Sequence, residues 1–181
     1  MLHKSTSTVS INDNGTPQKS TEADTLELVS DPLTLPILSA SKQISIAALQ
    51  DTLCYVREFL AKPNPHLGRK GPTCPFVPKC LKQDSIYMTD ISNEVAASVE
   101  DMENILNELI ELFIQLEPKQ GPLMSYKAII LIFPELPLED APEMIDDLQK
   151  RLKPKFVSEG LMLGEFHLNN NAPGLHNEEF Y

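Results

Sequence analysis

Basic residues are in short supply. Lys and Arg number 15 against 26 Asp and Glu in 181 residues, giving a formal net charge of −11. A surface that neutralises a run of phosphates needs clustered cations over a broad area, so nucleic acid is an unsuitable partner. Cysteine is scarce as well. Cys54, Cys74 and Cys80 form an odd count, too sparse for a secreted disulfide scaffold, which points to reduced thiols in the cytoplasm. No stretch reaches the roughly 18 apolar residues of a membrane span, and the opening Met1–Thr8 lacks the apolar run of a secretory signal. The 41% hydrophobic content is that of an ordinary globular protein with room for a core.

Residues 1–43 are rich in Ser, Thr, Asp and Pro and carry no sustained periodicity. They offer too little apolar area to offset chain entropy and read as a disordered leader, leaving 44–181 as a single domain. Ile46, Leu49, Leu53, Val56 and Leu60 then recur at helical spacing until Pro63 stops the helix. Ser85–Thr89 is a short strand candidate. Ser92 is placed to cap the next helix, whose stripe of Val95, Val99, Met102, Leu106, Leu109, Phe113 and Leu116 is broad enough to face a core. Tyr126–Phe133 is a continuous apolar, β-branched run, as a strand covered on both faces requires. Asp140 with Glu143 has the spacing of a capping box, and Met144, Ile145, Leu148 and Leu152 form the stripe of a third helix. Leu161–His167 alternates and reads as a third strand. This order predicts an α/β (or α+β) fold: a small three-stranded mixed or parallel sheet with three helices packed on it.

Chemistry-bearing residues gather in two remote stretches. The first is the proline-rich loop His66-Leu-Gly-Arg-Lys-Gly-Pro-Thr-Cys-Pro-Phe-Val-Pro78. Between Glu58 and Asp84 there is no acidic residue but there are Lys62, Arg69, Lys70, Lys79 and Lys82. Beside Gly68 and Gly71, Arg69 and Lys70 suit a carboxylate or phosphate; the plainer reading is a solvated loop paired with the acidic helix that follows. Cys74 lies among cations that favour a thiolate, yet it serves equally well as a plug for a hydrophobic gap. Its spacing from Cys80 is not that of a zinc pair, and no metal set is spelled out. The second stretch is Gly160-Leu-Met-Leu-Gly-Glu-Phe-His167 with Pro173-Gly-Leu-His-Asn177. Period-two geometry puts Glu165 and His167 on one face, where they form an acid/base pair or a structural ion pair. His66, His176 and Asn177 are further pocket or turn residues.

Taken together and in this order, the Gly68–Pro78 segment, the Lys127–Phe133 run, Gly160–His167 and Pro173–Asn177 resemble an uncharacterised bacterial domain family, over about residues 45–181. The resemblance implies a domain of unknown function, sometimes found near specialised-metabolism genes, with no catalytic residues to carry over. It also implies a further apolar strand and helix beyond Asn177, so that this chain is shortened or its sheet is completed by another chain.

The reading that follows is a small-molecule enzyme or ligand-binding domain for an anionic metabolite. Arg69 and Lys70 hold the anion, and Glu165, His167 and Cys74 line the reacting end. No cofactor is specified by the residues. One alternative is haem binding through Cys74, His167 or His176. Another is an interaction module that forms a homo-oligomer through the 93–117 helix. The leading reading requires the two stretches to fold into one pocket.

Overall fold

Two parallel strands and the helix between them organise the structure. The computed structural model describes residues 46–170 together with Asn177 and Glu179, all within one compact unit of the chain. The expected leader, 1–43, lies outside the described residues, as does His176. Helix α1 (Ile46–Tyr55) continues through a π-helical turn, Val56–Leu60, and inserts Leu49, Val56 and Leu60 into the interior. Its last turn closes with Ala61 N–H on the Val56 carbonyl at 3.0 Å, and Pro63 prevents further extension.

The proline-rich loop is closed at its neck. Pro63 bridges Pro72, Thr73 N–H reaches the Lys62 carbonyl at 2.8 Å, and Cys74 N–H reaches the Leu60 carbonyl at 2.8 Å. Inside it, the Asn64 side chain accepts from His66 N–H at 2.9 Å and starts a single 3-10 turn, Pro65–Leu67. A short helix, α2 (Val77–Lys82), follows with a proline in its first turn, where the missing N–H has no helical partner to lose.

Strands β1 (Ile86–Asp90) and β2 (Ala128–Ile132) pair in parallel, with Met88 opposite Ile130. Helix α3 (Val99–Gln115) connects them, so the unit is a strand–helix–strand crossover. The cap of α3 is Ser98, not Ser92. Ser98 Oγ accepts from Asp101 N–H at 3.2 Å, whereas the Ser92 carbonyl closes a separate turn by accepting from Val95 and Ala96. After β2, a π-helical turn (Pro142–Asp146) leads into α4 (Asp147–Ser158). The helix passes through Pro154 because Phe156 beyond it is 6% exposed and anchored in the core. That core joins Ile91, Met102, Ile105, Leu109, Leu148, Leu152 and Phe156.

The expected third strand is not a strand. There are two strands and four α-helices among the described residues, and Leu161–His167 belongs to neither kind of element. Gly160, at φ 74°, turns the chain out of α4 in the left-handed conformation that glycine adopts without strain. Leu161 N–H bonds the Phe156 carbonyl at 2.9 Å and Gly160 N–H the Val157 carbonyl at 3.0 Å, the pairing of a Schellman cap. The chain then runs back along α4. Leu161 and Leu163 pack on the core, and Gln149 Nε2 donates to the Leu163 carbonyl at 2.9 Å. Side chains of a helix thus take the place of a neighbouring strand.

Candidate functional site

His167 is the most enclosed of the described histidines, and its surroundings follow from that return along α4. Alternation turns Leu161, Leu163, Glu165 and His167 inward and leaves Met162, Gly164, Phe166 and Leu168 exposed. The His167 side chain is 6% exposed, with Nε2 at 2.7 Å from Oδ1 of Asp146, itself 20% exposed. Asn170 Nδ2 donates to the same oxygen at 3.4 Å. Nδ1 of His167 is buried and has no hydrogen-bond partner among the described residues.

In a neutral imidazole this arrangement selects one tautomer: a carboxylate only accepts, so the ring hydrogen sits on Nε2 and the lone pair on Nδ1. Glu165 precedes it on the same face and is half-buried. The carboxylate that orients His167 is therefore Asp146, a residue the sequence reading passed over. Its position next to Asp147 at the start of a helix reads as favourable dipole chemistry, and nothing local signals a partner 21 positions later.

Elsewhere the site candidates divide. Asn177 Nδ2 donates to the His66 carbonyl at 2.7 Å, so the C-terminal stretch does reach the proline-rich loop. A second link is aromatic: Phe166 meets Tyr55 edge-on at 6.4 Å, and Tyr55 stacks on Phe59 at 5.1 Å. Phe166 and His167 leave the backbone on opposite faces, so Tyr55 and Asp146 flank the segment from its two sides. Arg69 donates from Nη2 to the Thr73 carbonyl at 2.8 Å and from Nη1 to that of Lys70 at 3.2 Å. Its guanidinium thereby braces the loop, while Lys70 and the His66 ring are exposed.

Cys74 is half-buried and Cys80 buried. Burial pushes the Cys80 thiol up from its ordinary value, opposed by a hydrogen bond with Ser85 and reinforced by Cys74 nearby. Ser85 is 1% exposed and its hydroxyl lies against the carbonyls of Cys80 and Tyr126, fastening α2 to the start of β2. Lys79 sits over the Tyr126 ring at 3.9 Å, and Phe76 tilts against it at 5.9 Å. Part of the basic run is thus spent on packing.

Lys127 is a second residue that sequence reading missed as a polar centre. Only 9% exposed, it donates from Nζ to the Leu116 carbonyl at 2.8 Å and lies 4.8 Å from the Phe113 ring centre. Burial lowers its pKa, partly offset by Glu117. It satisfies a carbonyl at the end of α3 that the helix itself leaves open. Among the described residues, no group of three or more His, Cys, Asp or Glu side chains is arranged to hold a metal ion, and no helix is long and apolar enough to cross a membrane.

The family described as a domain of unknown function (DUF6875) matches residues 49–181. The chain belongs to this family. No curated protein and no solved structure matches it. The matched span takes in the proline-rich loop, the crossover unit, α4 and the returning segment, so the His167–Asp146 contact lies wholly inside the family's domain.

Proposed function

We propose that this member of the family is a small-molecule enzyme or ligand-binding domain for an anionic metabolite, with His167 as proton acceptor and Asp146 as its positioning residue. The supporting observation is a nearly buried imidazole bound to a carboxylate at one nitrogen and, among the described residues, unpartnered at the other. A buried acceptor left without a donor costs about 1–3 kcal/mol. A ligand O–H or N–H that reaches Nδ1 recovers that loss, and a proton transferred there yields an imidazolium stabilised by Asp146. Access requires the returning segment to lift from α4. Beyond Leu161 it is held by side-chain bonds from Gln149 and Asp146 and not by a strand ladder. Glu165 is the second carboxyl group on that face.

The anionic character of the ligand follows from the loop, which bears Lys62, Arg69, Lys70, Lys79 and Lys82 in an otherwise acidic protein. With Lys79 over an aromatic ring and Arg69 tied to carbonyls, exposed Lys70 beside Arg69 is the recognition charge of this reading. Cys74, whose backbone closes the loop neck, is the nucleophile candidate of this reading.

A thermal-shift screen of the full chain against mono- and dicarboxylates, phosphate esters and nucleotides tests the proposal. A binder whose affinity falls at least tenfold in His167→Ala, and more weakly in Lys70→Ala, is the expected result. A binder indifferent to both substitutions overturns it.

A further inference from the structure

Two π-helical turns stand out among the described residues: Val56–Leu60 at the end of α1 and Pro142–Asp146 directly before α4. Each is closed by an i→i−5 bond, from Ala61 N–H to the Val56 carbonyl at 3.0 Å and from Asp147 N–H to that of Pro142. Such geometry accounts for fewer than about 1% of residues in globular proteins and recurs at functional sites. Both turns meet the returning segment, and they do so at consecutive residues. Tyr55, directly before the first turn, lies edge-on to Phe166 at 6.4 Å and stacks on Phe59 inside the turn. Asp146, the last residue of the second, bonds His167 at 2.7 Å.

The second turn separates two anchored stretches. After it, α4 is fixed by Leu148, Leu152 and Phe156 in the core. Before it, Ala141 is 2% exposed and the Leu138 carbonyl accepts from Asn169 Nδ2 at 3.1 Å. The end of the returning segment therefore spans the turn. Asn169 is bound on one side of it, and His167 and Asn170 are bound to Asp146 at the other. A π turn holds one residue more than the α turn it replaces, and each helical residue advances about 100°. Without that residue the phase between Leu138 and Asp146 changes by about the same angle. His167 and Asn169, with only Leu168 between them, could then not reach both.

We propose that the Pro142–Asp146 turn sets the geometry of this site: its extra residue places Asp146 beside His167 while Asn169 stays on Leu138, which makes Asn169 a further positioning residue. The role rests on the reading of His167 as proton acceptor, because Asp146 acts only through that ring. The Val56–Leu60 turn has the matching place on the other side of the segment. It joins α1, which carries Tyr55, to the loop neck, where the Leu60 and Lys62 carbonyls accept from Cys74 and Thr73.

Glu143 is exposed within the turn, so its deletion removes one residue and no core side chain. In the full chain, that deletion should cost the neutral His167 ring its preference for hydrogen on Nε2, read by long-range ¹⁵N–¹H correlation. Adding Asn169→Ala frees the segment from Leu138, and the preference should return. Glu143→Ala, which keeps the length of the turn, should leave the ring as in the wild type. A deletion that leaves the ring unchanged overturns the proposal. So does a double variant that fails to recover, or a Glu143→Ala variant that behaves like the deletion. If the deletion variant does not fold, the wild type and Asn169→Ala decide. Scalar coupling across the hydrogen bond should join Asp147 N–H to the Pro142 carbonyl. Asn169→Ala should speed solvent exchange of the His167 Nε2 hydrogen several-fold, as the loss of one hydrogen bond implies. Coupling to the Glu143 carbonyl instead, or unchanged exchange, overturns the proposal. None of these readouts involves a ligand, so they stand apart from the screen that tests His167 as proton acceptor.

Discussion

Helix α3 and the returning segment carry comparable apolar residues in opposite circumstances. On α3, Met102, Ile105, Leu109 and Ile110 are between 2% and 7% exposed, and every turn is held by the helix's own backbone. On the segment, Leu161 and Leu163 reach the same core, but Met162, Phe166 and Leu168 face outward and the backbone depends on two side chains of α4 and its preceding turn. The first region is fixed by local hydrogen bonds and burial together. In the second, burial and a few side-chain hydrogen bonds fix one face, and the only enclosed histidine among the described residues sits there. A region held by few bonds is the one able to open, so the dyad lies where stability is expected to be lowest.

The sharpest way to break this contrast is to compare the two regions by substitution. Leu148→Ala removes a core side chain that is 2% exposed, and urea unfolding should show a loss of about 2–5 kcal/mol. A loss below 1 kcal/mol, on the order of a surface change, would show that the core described here is not the stabilising one.

Lys127→Met comes next. It leaves the Leu116 carbonyl without its donor, and the expected cost at neutral pH is about 1–3 kcal/mol. Its pH dependence has a definite sign. Burial lowers the folded-state pKa below the ordinary 10.5, so between the two values the unfolded chain binds more protons and the wild type gains stability as pH rises. The charged amine carries a cost that is fully present at neutral pH and relieved through that window. The gap between wild type and Lys127→Met should therefore widen toward pH 10; a narrowing gap contradicts the burial described.

Asp146→Asn should cost about 1 kcal/mol, the difference between a charged and a neutral acceptor, because an amide oxygen at that position still accepts from His167 Nε2–H. Its larger effect should be local: faster amide hydrogen exchange over 162–168 with α3 unaffected. Equal acceleration in both regions would mean that the segment opens only with the whole domain. Met162→Ala, on a side chain 87% exposed, should stay within about 0.5 kcal/mol of wild type in a dilute sample.

Patterns that combine periodicity with burial were legible before the structure. The stripe of α3, the buried Leu148 and Leu152 of α4, and both strands of the sheet follow from apolar spacing. So does the in–out alternation of Leu161–His167, since alternation reports which face is covered and not what covers it. That is why the segment was read as a third strand: the Gln149 amide that takes its carbonyl carries no sequence signal for that role. The start of α3 lies nearly two turns beyond Ser92 because Ser92 and Ser98 are both acceptable caps, and only Ser98 has Asp101 positioned to answer it. His167 stood out as a chemical residue, but Asp146 did not, because contacts between distant carboxylates and imidazoles are made by the fold. The Arg69 side chain was legible as a charge and not as a brace, since carbonyls that accept from it belong to the loop's own backbone.

The most direct measurement is long-range ¹⁵N–¹H correlation of the His167 imidazole in the full chain. The neutral form of the ring should carry its hydrogen on Nε2 with Nδ1 bare, a preference weakened in Asp146→Asn, and the Nδ1 resonance should shift when a binder is added. A neutral ring protonated at Nδ1 in the wild type, or one unchanged by Asp146→Asn, would contradict the account.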